Sequence, residues 1–486
     1  MLTSTLPIII QGGMGAGVSD WRLARAVSCT GQLGVVSGTA LDVIVTRRLQ
    51  LGDPGGHVQR ALAAFPIAGV ADNILSRYFV SGGKVPDAPF KSKPLPSDRP
   101  SRSALELLVA SSFVEVFLAR DGHQGPVGIN FLEKIQATLL PSLYGAMLAG
   151  VSCVLVGAGI PRTIPGALDR FARGEPAEVT LDVKGATSDD HFVTSFSPTE
   201  LWPAGSRPPA LGRPAFFAIV SSATLATMLV KKSNGRVDGF IVEGPTAGGH
   251  NAPPRGPLRL TEVGEPIYSD RDQPDLEEFR GLGLPFWLAG SYARPERVTE
   301  ALRCGAVGVQ VGTAFAYCEE SGLTSGIKDR TLAMSKAKVL RVFTDPTASP
   351  TGFPFKLVQL PGTLADPATP ERSARVCDLG YLRHAYKKPD GSLGWRCPAE
   401  PVEDFVNKGG SESETQGRKC LCNALLANIG LEQVRGQTGE KRELPLVTSG
   451  DDVADIARFL KPGASTYRAE DVIEYLLRGI LGTDAT

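Results

Sequence analysis

The sequence predicts a (β/α)8 barrel with insertions and an α-rich C-terminal extension. Three observations predict it. Short, almost wholly apolar runs occur eight times, amphipathic helical stretches stopped by glycine precede several of them, and several runs themselves end in glycine. Strands that are apolar throughout belong to a parallel sheet covered on both faces. Eight such strands alternating with helices is the count of a barrel whose functional groups gather at the C-terminal strand ends.

Taken in order, the first strand is expected over Pro7–Gln11. Ser19–Val27 reads as a capped amphipathic helix stopped near Gly31, and the second strand follows at Leu33–Ser37. The third is Pro126–Asn130. A helix at Leu143–Ala149 stops at Gly150 and leads into the fourth strand, Val151–Val156. Ala215–Val220 is the fifth. The helix Ala223–Lys232 stops near Gly235, ahead of the sixth strand at Gly239–Val242. Pro285–Ala289 is the seventh. A helix over Arg294–Arg303, entered through Pro295 and stopped at Gly305, precedes the eighth at Val307–Val311.

Two stretches interrupt this alternation. Residues 81–103 are rich in Pro, Ser, Lys and Asp and read as a surface excursion. Residues 163–214 hold a helix, an extra strand at Val179–Val183 and a proline-rich return. Such insertions ordinarily decorate a surface; either could instead overhang the strand ends as a lid. The barrel is assigned to residues 1–345 and a cysteine-containing extension to 346–486. Near the end, Asp451–Leu460 puts Val453, Ile456, Ala457 and Leu460 on one face, and Ala469–Leu481 carries Val472, Ile473, Leu476, Leu477 and Ile480 at helical spacing. Both stripes are expected to pack on the barrel; dimerisation through the second is the other use.

Composition narrows the function. A chain of 486 residues suits one large barrel with an appendage. Lys+Arg and Asp+Glu both number 51, so no net field draws nucleic acid or an anionic membrane. The N-terminal stretch Met1–Pro7 lacks a basic region, and Ile8–Ile10 is too short for a signal core. Gln136–Pro161 carries no charge and is long enough to span a bilayer, but Pro141, Gly145, Gly150, Gly157 and Gly159 divide it into helix, turn and strand. A cytoplasmic protein acting on a small molecule is expected.

The most informative stretch is Val242–His250. A strand end runs into Gly248 and Gly249 and then one of five histidines. Glycine lets backbone press against a flat ligand, and imidazole exchanges protons near neutral pH. The glycine-rich Gly12–Gly17 superficially suggests a dinucleotide fold. The spacing disagrees, because the third glycine would have to stand at Val18 or Asp20. A barrel in which this loop passes a planar cofactor is preferred. The seventh and eighth strands end in Ala289-Gly-Ser291 and Gln310-Val-Gly-Thr313, each offering amides and a hydroxyl where barrels frequently hold phosphate. The plainer alternative is that Gly290 and Gly312 only permit tight turns.

Together, Gln11-Gly-Gly-Met14, Gly128-Ile-Asn130, Ala247-Gly-Gly-His250, Ala289-Gly-Ser291 and Gln310-Val-Gly-Thr313 resemble the ordered motifs of the nitronate monooxygenases, formerly 2-nitropropane dioxygenases. That flavoprotein superfamily also includes flavin-dependent enoyl reductases and the enoyl-reductase proteins of polyunsaturated fatty-acid and polyketide pathways. The resemblance spans residues 5–325. It implies an FMN-binding barrel with the phosphate at Gly290, Ser291, Gly312 and Thr313. It implies that Gly12, Gly13, Met14 and Asn130 lie near the ring, that Gly248, Gly249, Ala289 and Gln310 complete the cofactor site, and that His250 faces the substrate.

For a nitronate, His250 would hold the anion or manage a proton; for an enoyl thioester it would polarise the carbonyl. The Asn130 amide would serve as a donor to the ring. Thr246 departs from the family's glutamate, and Asn251-Ala-Pro-Pro follows the histidine. Both departures bear on substrate orientation. Arg341–Lys356 looks more like the lipid-pathway relatives. The expected activity is oxidation of an alkyl nitronate with O2 to a carbonyl compound and nitrite. The alternative is reduction of an enoyl thioester with NAD(P)H, in a protein associated with a synthase. A non-catalytic scaffold subunit is the reading from another class.

Cys377, Cys397, Cys420 and Cys422 crowd into the extension. Their spacing, 19, 22 and then one intervening residue, lacks the paired C-x2-C of zinc ribbons or ferredoxins. They read as buried or clustered thiols, and no metal ligand is assigned. His57, His123, His191 and His384 read as surface or satisfied histidines. Asp189-Asp190 and Asp451-Asp452 read as solvated turns or helix caps rather than paired catalytic acids.

Overall fold

In the computed structural model, which describes residues 6–203, 205–369, 375–435 and 441–480, eight parallel strands close into a barrel. They are β1 (Ile9–Gln11), β2 (Leu33–Ser37), β3 (Val127–Leu132), β4 (Cys153–Gly157), β5 (Ala215–Val220), β6 (Gly239–Glu243), β7 (Phe286–Ala289) and β8 (Gly308–Val311). Each pairs with the next in sequence, and β8 closes on β1 with Ile10 opposite Gln310. All eight strands fall where the apolar runs predict. Val35, Leu155, Phe217, Ile241 and Trp287 fill the barrel interior, while the alternate residues Val36, Val154, Phe216, Phe240 and Leu288 pack under the helices. Burial of side chains this size stabilises by about 1.5–3 kcal/mol each, and it explains why the strands are apolar throughout.

The helices correct the sequence reading in detail. The first runs Trp21–Cys29 and is capped by Asp20, whose carboxylate accepts from the amides of Arg22 (2.9 Å) and Leu23 (3.4 Å). Ser19 is turned toward the β1 loop instead. The uncharged stretch forms a helix, Gln136–Leu148, then a turn and β4, as expected, although Pro141 and Gly145 lie inside the helix rather than dividing it. Proline there removes one intrahelical hydrogen bond. Gly145 is required because a Cβ would lie 2.0 Å from the Val109 carbonyl of the neighbouring helix Arg102–Arg120. Among the described residues no helix is long and apolar enough to cross a membrane.

Residues 81–103 cross the surface as expected, but not loosely. Phe90 is buried, and Lys93 reaches inward to Asp42 at 2.8 Å. The second insertion folds as a helix, Ile164–Ala172, and an antiparallel pair, Ala177–Thr180 with Val193–Phe196. Its Val183–Lys184 joins a sheet formed by His384–Lys387 and Leu393–Arg396 of the extension.

The hairpin Val342–Asp345 with Phe355–Val358 crosses position 345 and ties the extension to the barrel. Asp451–Phe459 is a 3-10 helix, so Val453, Ile456 and Phe459 are buried at a spacing of three, and the expected α-helical face with Ala457 and Leu460 is not formed. Ala469–Leu476 buries Val472, Ile473 and Leu476 against the barrel helices as expected. Leu481 and Met1–Thr5 lie outside the described residues.

Candidate active site

The loop after β1 is set by two buried polar side chains. Gln11 donates from Nε2 to Ser19 Oγ (2.9 Å) and accepts at Oε1 from the Val35 amide (3.0 Å). Ser19 Oγ in turn accepts from the Met14 amide (3.0 Å) and donates to the Gly12 carbonyl (3.1 Å). This pins Gly12–Met14 over the barrel mouth. At that mouth lies a cavity of about 1470 Å3, counting its open side.

Every residue singled out from the sequence lines that cavity: Gly12, Gly13, Met14, Asn130, Gly248, Gly249, His250, Ala289, Gly290, Ser291, Gln310, Gly312 and Thr313. Neither insertion reaches it. The covering comes from the extension, whose Val447–Gly450, Asp452, Leu425, Asn428 and Phe355 complete the wall. Thr448 Oγ1 accepts from the Gly249 amide (2.9 Å), and the Gly450 amide donates to Thr313 Oγ1 (2.9 Å). Gly248 and Gly450 meet back to back. A Cβ on Gly248 would stand 2.6 Å from the Gly450 nitrogen, so the roof can approach only over glycine.

At the ends of β7 and β8, the amides of Gly290, Ser291, Gly312 and Thr313 find no acceptor among the described residues. Ser291 is held at φ 57°, a left-handed conformation that costs a non-glycine residue of order 1–3 kcal/mol. Thr313 accepts from Gly450 and keeps its own O–H to donate. Four unengaged amides and two hydroxyls on one rim suit an anion such as phosphate. Gln310 Oε1 is buried and has no donor among the described residues. It is an acceptor waiting for an N–H, as a flavin ring supplies. Met14 lies against Gly312, with Sδ 3.3 Å from where a Cβ would sit, and gives an apolar flank.

Asn130 differs from expectation. Its Nδ2 donates to the Leu155 carbonyl (3.1 Å) and, at 3.4 Å, to that of Phe131, so the amide N–H is engaged by neighbouring backbone. What remains toward Gly13 is the carboxamide oxygen, 3.0 Å from a Cβ position on that glycine.

His250 is clamped by the extension. The Lys356 amide donates to the Gly249 carbonyl and the Asn251 amide to that of Pro354, bracketing the histidine. Its Nε2 stands 2.7 Å from Ser349 Oγ, and its ring meets Phe355 edge-on at 4.7 Å. Burial pushes the imidazole down to about 4, so it is neutral at physiological pH.

Glu243, at the end of β6, was passed over in the sequence although it stands within the Val242–His250 stretch. Its carboxyl has no protein partner among the described residues, and burial pushes it up to about 8. An acid at the C-terminal end of a barrel strand is itself a signal. Asp452 also departs from a solvated cap. It sits on the cavity wall near the Ala293 amide, and burial raises it. No Lys or Arg lines the cavity. Of the other histidines, His123 bonds the Ala119 carbonyl at 2.6 Å, His384 accepts from Arg396 and His191 is exposed, as expected, whereas His57 packs on Trp21 with a buried Nδ1 that has no partner among the described residues. Asp190 caps Thr187 and pairs with Lys387.

A closed parallel barrel with an anion cradle, an orphaned acceptor and an uncharged imidazole at one rim is the framework of a cofactor-dependent oxidoreductase. Residues 210–347 are similar to the family model "Nitronate monooxygenase". Among curated proteins none matches the sequence.

Similar solved structures include nitroalkane oxidase from Streptomyces ansochromogenes (15% identity, 99% of this chain and 97% of that one, TM-score 0.47). FabK from Thermotoga maritima is another (16%, 98% and 93%, TM-score 0.46). A third is the enoyl reductase domain of MlnA from the macrolactin biosynthesis cluster of Bacillus amyloliquefaciens (11%, 97% and 92%, TM-score 0.45).

Proposed function

We propose that this chain binds FMN and oxidises alkyl nitronates with O2 to a carbonyl compound and nitrite. The observation that carries the reading is that His250 shares one cavity with the unengaged amides of Gly290, Ser291, Gly312 and Thr313 and the orphaned Gln310 oxygen. Those amides and hydroxyls would hold the phosphate, Gln310 would accept from the ring, and Gly12, Gly13 and Met14 would flank it. FMN, when bound, supplies the electron acceptor. His250, neutral and fixed by Ser349, orients the substrate by donating or accepting at one nitrogen. Phe355 and the Val447–Gly450 segment exclude water from that side. Eight unbridged cysteines suit a reducing, cytoplasmic setting.

A specific observation favours the second reading, reduction of an enoyl thioester with NAD(P)H. The wall carries no cation, and both the imidazole and the Glu243 carboxyl are uncharged near pH 7. Two neutral donors suit a carbonyl better than an anion. Anaerobic mixing of the yellow protein with propionate-derived nitronate, or with crotonyl thioester and NADPH, separates the two. Nitronate is expected to bleach the flavin directly, whereas on the second reading NADPH bleaches it and crotonyl thioester restores the colour; failure of both routes would end both readings.

Two further outcomes follow from the geometry. Glu243 holds its proton up to about pH 8, so a step that uses that proton is expected to slow as pH rises through 8. In Glu243→Gln the rate should no longer fall there, and an unchanged alkaline limb would remove the carboxyl from the mechanism. In Gly248→Val the new side chain must displace Ser449 and Gly450. Flavin affinity, read by equilibrium dialysis, is expected to drop about tenfold or more, some 1.4 kcal/mol. Wild-type affinity would mean that the roof does not touch the cofactor.

A further inference from the structure

Neither insertion reaches the active-site cavity, yet both meet the extension at a second one. Its volume is about 1070 Å3, counting its open side, on the scale of small-molecule sites. Pro96 of the first insertion and Asp182–Lys184 of the second form part of its wall. The extension supplies the rest through the sheet that joins Val183–Lys184 to His384–Lys387 and Leu393–Arg396. Its charge is unlike that of the active site. No Lys or Arg lines the first cavity, whereas Lys134, Lys184 and Arg383 line the second against one carboxylate, Asp182. We propose that this second cavity binds the phosphorylated nucleotide end of a coenzyme, an adenosine carrying a 5′-phosphate and a further ribose phosphate. A coenzyme thioester and a dinucleotide reductant both end in such a group.

The cations on this wall are open to an anion. Arg383 donates from Nε and Nη2 to the carbonyls of Gly380 and Pro96, and among the described residues it meets no carboxylate. Lys134 pairs with Asp182, and Lys184 with Glu414 at 2.7 Å, but those carboxylates are 71% and 37% exposed. Ion pairs in water hold weakly, so a phosphate dianion competes for both ammonium groups. Beside the cations lie flat surfaces. Trp395 and Tyr381 line the same cavity. The Tyr381 hydroxyl is taken by Asp42, which leaves its ring, and the Arg383 guanidinium lies over the Trp395 ring at 5.9 Å. Aromatic faces and guanidinium planes are the surfaces on which a nucleotide base stacks. Phosphate-binding charge and a stacking platform in one recess fit a nucleotide better than a lone anion or an apolar chain.

The position links the two cavities. Pro350 and Thr351 line the second, and Ser349 just before them stands 2.7 Å from His250 Nε2. On the loop after β3, Leu132 lines the active site and Lys134 the second cavity. A nucleotide held here lies one short segment from the imidazole, and the rest of its coenzyme can extend toward the cavity assigned to FMN. The inference rests on the second reading of the function, reduction of an enoyl thioester, because an alkyl nitronate carries no such handle. It also gives both insertions and the extension a common task that the barrel itself does not require.

The test titrates the full chain by isothermal calorimetry with adenosine 3′,5′-bisphosphate, adenosine 2′,5′-bisphosphate and plain adenosine. One bisphosphate is expected to bind, with adenosine weaker by about tenfold or more. Tighter binding of the 3′ isomer identifies a coenzyme thioester; tighter binding of the 2′ isomer identifies a dinucleotide reductant. Lys134→Glu and Lys184→Glu should each weaken the bisphosphate by about tenfold or more. Lys231→Glu, exposed on the helix Ala223–Lys232 and outside the cavity, should not. Should the lysine variants fail to fold, the unaltered chain decides, since added salt must weaken the bisphosphate and leave adenosine unmoved. Absence of binding by either bisphosphate at millimolar concentration, equal affinity for adenosine, or indifference to both lysine variants would overturn the proposal. Turnover of crotonyl thioester by a chain that binds neither bisphosphate would overturn the nucleotide site and leave the second reading standing. Bisphosphate binding that both lysine variants weaken, in a chain that turns over no thioester, would keep the site and remove that reading.

Discussion

His250→Ala is expected to lower turnover by about 10²–10⁴-fold with flavin content unchanged, because on the proposed function the ring, which lines the cavity, acts on the substrate, and general acid–base or orienting groups contribute that much. The loss should appear in kcat/KM with whichever substrate class proves active. Ser349→Ala, which removes only the hydroxyl at 2.7 Å, should cost less and act through the ring's orientation. The acid side of the pH profile carries an independent mark. The folded chain keeps His250 neutral down to about 4, whereas the unfolded chain takes up a proton near 6.5. The stability that His250 contributes through this difference is present above pH 6.5 and is lost as pH falls toward 4. The alanine variant should lack this part of the acid destabilisation. Unchanged turnover would remove the histidine from the chemistry.

Arg48→Ala is expected to destabilise the fold by about 3–5 kcal/mol, read as a lower urea midpoint, because it strands the buried Glu115 carboxylate, whereas Asp20 keeps Arg22 at 2.7 Å. Arg48 pairs with Asp20 (3.0 Å) and with Glu115, and the side chains of those acids are 0% and 1% exposed. Glu115 also accepts from the Trp21 amide at 3.0 Å. Burial already pushes the Glu115 carboxyl up against the pull of Arg48. Without the guanidinium the carboxyl is pushed further up, so the deficit should be larger at pH 8 than at pH 5. Asp20 caps the helix that leaves the β1 loop, which couples this network to Gly12–Met14. A change under 1 kcal/mol would show that water reaches the pair.

What the sequence made legible follows from how local the signal is. Strands covered on both faces must be apolar throughout, so all eight could be read without neighbours. The motif residues sit at strand ends, and closing the barrel brings thirteen of them to one rim. What could not be read depends on contacts across the chain. Thr448, Ser449 and Gly450 carry no local mark of touching Gly248 or Thr313. The lid was sought in the insertions because they interrupt the pattern, yet the covering lies in the extension. The Asn130 amide was taken as a free donor because the Leu155 carbonyl beside it is visible only in the sheet register. Asp451–Phe459 was given the wrong period because one apolar stripe over three turns fits both 3.0 and 3.6 residues per turn. The exact meeting place of the extension's four thiols was hidden for the same reason: three distant segments supply them.

The placement of Val447–Gly450 over the barrel mouth has a temporal consequence. On the ribosome, β8 emerges well before this segment does. At about 5–20 residues per second the interval is on the order of ten seconds. During it the rim amides of Gly290 and Gly312 face open water, and any prosthetic group could enter and leave. Retention thus belongs to the last stage of biosynthesis, when the tail is drawn across like a latch.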